Sequence, residues 1–123
     1  MKKEIVSKKI FVVDDDVFIG DILKIMLESE NYKVFPFTTG KSALQFFFKK
    51  HPDLVILDYF IMGEDFTQIM QGFKRIGGES LPIILMSANK VSMDIVKKNK
   101  ISEFIEKPFQ RDVILAVVAR NLN

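Results

Sequence analysis

Short apolar runs that each stop at a polar residue, alternating with helix-period segments, constrain what this chain can fold into more than any other feature. Ile10-Phe-Val-Val13 ends in Asp14-Asp15-Asp16, Leu54-Val-Ile-Leu57 at Asp58, and Ile83-Ile-Leu-Met86 at Ser87. Glu103-Phe-Ile-Glu106 ends at Lys107-Pro108. Lys33-Val-Phe-Pro-Phe37 is a poorer strand, and its Pro places it at a sheet edge or a strand end. The runs from Ile10, Leu54 and Ile83 are apolar at consecutive positions, as strands buried on both faces of a parallel sheet must be.

Helical periods fill the gaps. Ile19, Ile22, Leu23 and Met26 keep the i, i+3, i+4, i+7 spacing of one helix face, with Asp16 as N-cap. Phe66, Ile69, Met70 and Phe73 repeat it and are stopped by Gly77-Gly78. Leu115, Val118, Ala119 and Leu122 repeat it again. Ser42 to Lys50 reads as a helix ended by His51-Pro52, and Val91 to Asn99 as a helix with a short apolar stripe. Five strands, each followed by a helix, predict a doubly wound α/β fold: a five-stranded parallel sheet with helices on both faces and right-handed crossovers. Such folds carry their sites at the carboxyl ends of the strands. The expected organisation is a single domain over residues 1–123 with no output domain.

Composition narrows the function. The 123 residues are 48% hydrophobic and 28% charged, which is a globular and not a disordered balance. A net charge of +2 makes no case for nucleic acid. The chain has no Cys, which excludes disulfides, thiol catalysis and zinc-thiolate sites. Its start is charged where a signal peptide would be apolar, and no uninterrupted apolar window of about 18 residues could span a membrane. The expected setting is cytoplasmic.

Asp14, Asp15, Asp58, Ser87 and Lys107 all stand at strand ends, and in a parallel sheet those ends share one edge. Clustered carboxylates repel one another unless a cation lies among them, and hard oxygen ligands suit Mg²⁺. A lysine and a hydroxyl aimed at the same place match the oxygens of a phosphoryl group, and a carboxylate is a competent phosphoryl-accepting nucleophile. These residues point to Mg²⁺-assisted transfer of a phosphoryl group to an aspartate.

The segments "IFVVDDD", "PDLVILD", "LPIILMSA" and "FIEKPF", in this order and spacing, resemble the receiver domain of two-component response regulators across essentially the whole chain. The resemblance implies the flavodoxin-like, receiver-type sheet. It implies Asp58 as phosphoacceptor, with Asp14, Asp15, Asp58 and the main-chain carbonyl of Phe60 holding Mg²⁺. Ser87 and Lys107 would bind the phosphoryl oxygens. Ser87 and Phe104 would form the switch, and Pro108 matches a position that follows a cis peptide bond. The expected activity is a phosphorylation-dependent switch, not a turnover enzyme, catalysing only its own phosphorylation and dephosphorylation. Its donor would be a sensor histidine kinase or a histidine phosphotransfer protein. A downstream protein would bind the face around the fourth helix, with no nucleic acid or membrane partner. Phe60 and Asn89, two positions after Asp58 and Ser87, flank the route of the hydrolytic water, which implies a slowly hydrolysed acyl phosphate.

The stretch after the acceptor departs from the family's "D-x-x-M-P-G-x-D-G": Met62 stands for the usual Pro and Phe66 for the usual Gly. Ser102-Glu103 replaces the usual acidic pair before the last strand, and the span from Ser87 to Lys107 is short enough to trim the fourth helix. Two rival readings follow. One is a binding module of the same fold that signals without phosphorylation. The other is a small aspartate-nucleophile phosphatase using Asp14 and Asp16. Other residues have plainer explanations. His51 reads as a solvated loop residue, and Phe46, Phe47 and Phe48 cannot all face a core because successive helical residues diverge by about 100°. Lys90, Lys97, Lys98 and Lys100 read as a solvated face first and a contact for an acidic partner second.

Overall fold

A computed structural model describes residues 7–122. Strands β1 (Lys9–Val13), β2 (Lys33–Phe37), β3 (Leu54–Asp58), β4 (Ile83–Ser87) and β5 (Glu103–Glu106) alternate with five helices. These are α1 (Val17–Glu28), α2 (Gly40–Lys50), α3 (Phe66–Gly77), α4 (Met93–Lys98) and α5 (Arg111–Leu122). The sheet is parallel throughout, in the order β2-β1-β3-β4-β5. The strand-helix alternation therefore gives the doubly wound fold that the sequence predicts. Pro36 lies on edge strand β2, where its missing N–H costs no ladder bond on the open side.

Every residue of β3 and β4 is buried, and so are Ile10 to Val13 of β1. Alternate strand residues feed two cores. Phe11, Val13, Val55, Leu57, Ile83 and Leu85 meet Phe47, Met70 and Phe73 from α2 and α3. Ile10, Val12, Leu54, Ile56, Ile84 and Met86 meet Leu23, Leu27, Ile114 and Val118 from α1 and α5. Each fully buried side chain of this size contributes about 1.5–3 kcal/mol, so the central strands are the least movable part of the molecule.

Short caps join strands to helices at the carboxyl edge. Asp16 accepts from the Phe18 amide at 2.9 Å, Thr39 from Ser42 at 3.1 Å and Asp65 from Gln68 at 3.2 Å. These bonds satisfy first-turn amides that have no intrahelical partner and hold the loops that border the site.

Two helix faces differ from the periodicity reading. On α1 the buried residues are Gly20, Leu23 and Leu27, while Ile22 is exposed and Ile19 and Met26 are half-buried. The buried stripe is turned because α1 lies close on β2; a Cβ at Gly20 would come within 3.2 Å of the Pro36 Cβ. Ile19, Ile22 and Met26 instead line a groove with Ala88, Pro108 and Phe109. On α5, Ile114 and Val117 join Val118 in the core, and Leu115, Ala119 and Leu122 are only half-buried.

The other helices keep their predicted places, α4 in a shortened form. Phe47 is buried while Phe46 and Phe48 are exposed. Helix α4 is trimmed to six residues with none buried, against the nine expected from Val91 to Asn99. His51 closes α2 in a left-handed conformation and is exposed. Among the described residues no helix is long and apolar enough to cross a membrane.

Candidate functional site

The strand order sets the site. Strands β1 and β3 are neighbours, so Asp14 follows Val13 beside the last residues of β3, where Asp58 stands. Carboxylate oxygens of Asp14, Asp15 and Asp58 all lie within 4.8 Å of one another. From the far side of β4, the Lys107 ammonium reaches across to Asp14 Oδ2 at 2.7 Å and Asp58 Oδ1 at 3.2 Å. Ser87 is buried at the end of β4, its Oγ accepting from the Asn89 amide at 3.1 Å. All five line one open cleft of about 460 Å³, with Phe60 and Asn89 on its rim.

Among the described residues, the charges that line this cleft do not balance. Burial raises the Asp58 carboxyl, the Asp14 charge raises it further, and the nearby Lys107 cation offsets only part, leaving a pKa of about 6. Burial also works against the Lys107 ammonium, but its hydrogen bond to Asp14 and the charges of Asp14 and Asp58 outweigh that, so its pKa stands above the usual lysine value. One ammonium thus faces three carboxylates and bonds two of them. A second cation with a preference for oxygen ligands fits this donor set, and Mg²⁺ is such an ion.

Backbone bonds hold the acids in place. Asp14 Oδ1 accepts from the Asp16 amide at 2.9 Å, and the Asp14 amide donates to the Phe37 carbonyl at 3.0 Å. The Asp16 carboxylate is turned to the Phe18 amide at the start of α1, as a cap. Asp15 Oδ2 accepts from the Met62 amide at 3.2 Å. A proline at 62 has no N–H to give, so this departure adds a link between the loop and the acidic cluster. The second departure is absorbed too: Phe66 packs edge-on against Tyr59, ring centroids 4.8 Å apart.

The remaining predicted residues sit as follows. Phe60 is 70% exposed on the loop after β3. Phe104 is half-buried on edge strand β5, against the core cluster that Val91 and Val96 also touch. The Lys107–Pro108 bond is cis. Glu103 is pulled below the usual carboxylate range by its hydrogen bond to Arg120 of α5, so this part of the substituted acidic pair is tied to α5 and not to the cleft. Sequence reading missed two contacts, the Met62 amide on Asp15 and Glu64 at the start of α2, because both join segments far apart in the chain.

The family described as "Response regulator receiver domain" matches residues 10–119. Among solved structures, the response regulator protein TrrA from Thermotoga maritima, in complex with Mg²⁺-BeF, is 30% identical with a TM-score of 0.82. That match covers 94% of this chain and 99% of the other. The chemotaxis protein CheY4 of Vibrio cholerae has the same fold at 20% identity and TM-score 0.87, covering 95% and 100% of the two chains. The signal receiver domain of a Luxo repressor protein from Vibrio parahaemolyticus superposes at TM-score 0.84 with 22% identity, covering 95% and 91%. With the carboxylate cluster, its lysine and a match over nearly the whole chain in agreement, the chain belongs to the response regulator receiver domain family.

Proposed function

We propose that this chain is a phosphorylation switch that takes a phosphoryl group from a histidine kinase or phosphotransfer protein onto Asp58, in the cytoplasm, with Mg²⁺. The observation that carries this reading is the cluster of Asp14, Asp15 and Asp58 within 4.8 Å, with Lys107 on two of the three. The Asp58 carboxylate attacks phosphorus, the bond from phosphorus to the donor histidine nitrogen breaks, and the nitrogen keeps the electron pair. Asp14, Asp15, Asp58 and the Phe60 carbonyl would hold Mg²⁺, which supplies charge neutralisation for the acids and the incoming oxygens. Lys107 and the Ser87 hydroxyl would take the phosphoryl oxygens.

The readout would run through Ser87 and Phe104 to the face around α4. Helix α4 buries none of its residues and is the helix that a small rearrangement can move at least cost. A downstream protein on that face completes the reading. The phosphatase alternative loses support because Asp16, the second acid it needs, caps α1. The non-phosphorylated binding module rests on Met62 and Phe66, yet the Met62 amide bonds Asp15 of the cluster and Phe66 packs on Tyr59.

Incubation with acetyl phosphate and Mg²⁺ should add one phosphoryl group by intact mass, and none in Asp58→Asn. Label that persists in the variant would refute Asp58 as acceptor, and an unlabelled wild type would favour the binding module.

The phosphorylated state should be long-lived. The Phe60 ring lines the cleft and would crowd the approach of water, and the Asn89 carboxamide is a poor base. Decay measured after desalting should be several-fold faster in Phe60→Asn than in wild type. Equal decay rates would mean that the exposed ring leaves the water path open.

A further inference from the structure

The loop from Tyr59 to Asp65 joins β3 to α3 and carries two groups on which the phosphoacceptor reading depends. They are the Phe60 carbonyl and the Met62 amide that holds Asp15 at 3.2 Å. Its middle is tethered from outside the cleft. Ile61 is buried, and the Glu64 amide donates to the Ile61 carbonyl at 3.0 Å. The third residue of that turn, Gly63, has φ +81°, a conformation other residues rarely adopt.

The turn presents the Glu64 carboxylate to the amino end of α2. One oxygen accepts from the Gly40 amide at 2.6 Å and the other from the Lys41 amide at 3.1 Å. These are first-turn amides with no partner inside their own helix, and the N-cap Thr39 takes only the Ser42 amide. A carboxylate at the positive end of a helix, bonded through both oxygens, is a strong tether. Its anchor is fixed as well: a Cβ at Gly40 would come within 2.7 Å of Ile69, so α2 sits hard against α3.

We propose that Glu64 is a positioning residue, which holds the loop so that the Phe60 carbonyl and Asp15 stay aligned with Asp58 for metal binding. This rests on the phosphoacceptor reading. A loop that spends only part of its time in place weakens apparent affinity by that fraction. Glu64→Ala should therefore raise the Mg²⁺ dissociation constant roughly three- to thirtyfold, the range set by losing a cap. The titration would follow amide resonances in NMR with the metal alone.

In metal-free protein the Gly40 and Lys41 amides should exchange faster in the variant. Labelling by acetyl phosphate should slow at low Mg²⁺ and recover at saturating Mg²⁺, a split that mere destabilisation would not produce. Glu64→Gln, which keeps one acceptor oxygen, should lie between the two, and it carries the test if the alanine variant fails to fold. A folded variant with unchanged Mg²⁺ affinity, or with unchanged exchange at Gly40 and Lys41, overturns the proposal alone. A wild type that binds no Mg²⁺ overturns the phosphoacceptor reading with it.

Discussion

Lys107→Met should lower the melting temperature by about 6–18 °C in metal-free buffer. Lys107 is the partner that Asp14 shares with Asp58, at 2.7 and 3.2 Å, and the Asp14 side chain is almost wholly buried. Breaking a fully buried ion pair by removing one partner costs about 3–5 kcal/mol. Here the cleft is open and Asp14 keeps the Asp16 amide, so about 2–3 kcal/mol is the better figure. At ~3–6 °C per kcal/mol for a chain of this size, that becomes the stated drop. Met preserves the apolar stem, so the loss reports charge and not packing. Saturating Mg²⁺ should recover part of the drop, since a second cation then meets the same acids. A melting temperature within about 2 °C of wild type would mean that the three carboxylates do not depend on this lysine.

Asp58→Asn should do the reverse and raise the melting temperature in the absence of metal. Burial and the charge of Asp14 hold the folded-state pKa of Asp58 at about 6, against 3.8 for the free group. A folded pKa above the unfolded one means that the folded state binds the proton more tightly. The contribution to stability is then fully present below the unfolded value and is lost as pH rises from 3.8 to about 6. Above that window the charged acid is a liability that Asn lacks. A shift of this size corresponds at most to about 3 kcal/mol, and water in the open cleft reduces it to about 1–2 kcal/mol.

The variant should therefore melt ~3–12 °C above wild type near neutral pH, and the gap should close on acidification. Magnesium should reverse the order of benefit, because a ligand bound only by the folded state adds about 1.4 kcal/mol at nine times its Kd. The wild type, with all its carboxylates, should gain more than the variant. A gap that persists at pH 3 would show that the stabilisation is not the removal of a buried charge.

The charge cluster itself was legible in the amino-acid sequence, and so was most of the fold. A run such as Leu54 to Leu57, apolar at every position, suits only a strand covered on both faces, and all its residues are buried. Parallel strands point the same way, so Asp14, Asp58, Ser87 and Lys107 had to emerge at one edge once each was read as a strand end. Local chemistry also marked Asp16 as a cap, which holds, and left Pro36 at a sheet edge or a strand end, of which the structure takes the edge. The trimming of α4 was visible as a simple shortage of residues.

The tertiary structure decided what periodicity cannot carry. A repeat of apolar residues tells that a helix has a buried face, but on α1 three of the four expected positions border a groove or solvent. The close approach of Gly20 to Pro36 turned the helix, and that contact belongs to the pair, not to either segment. The tether from Glu64 to α2 spans 24 positions, and the bond from Lys107 to Asp14 spans 93. Side-chain chemistry is written locally, and the sequence by itself determined which groups this protein has and which edge they share. Distances between them depend on strand order and on how helices settle against the sheet, and these are set by packing among residues remote in the chain.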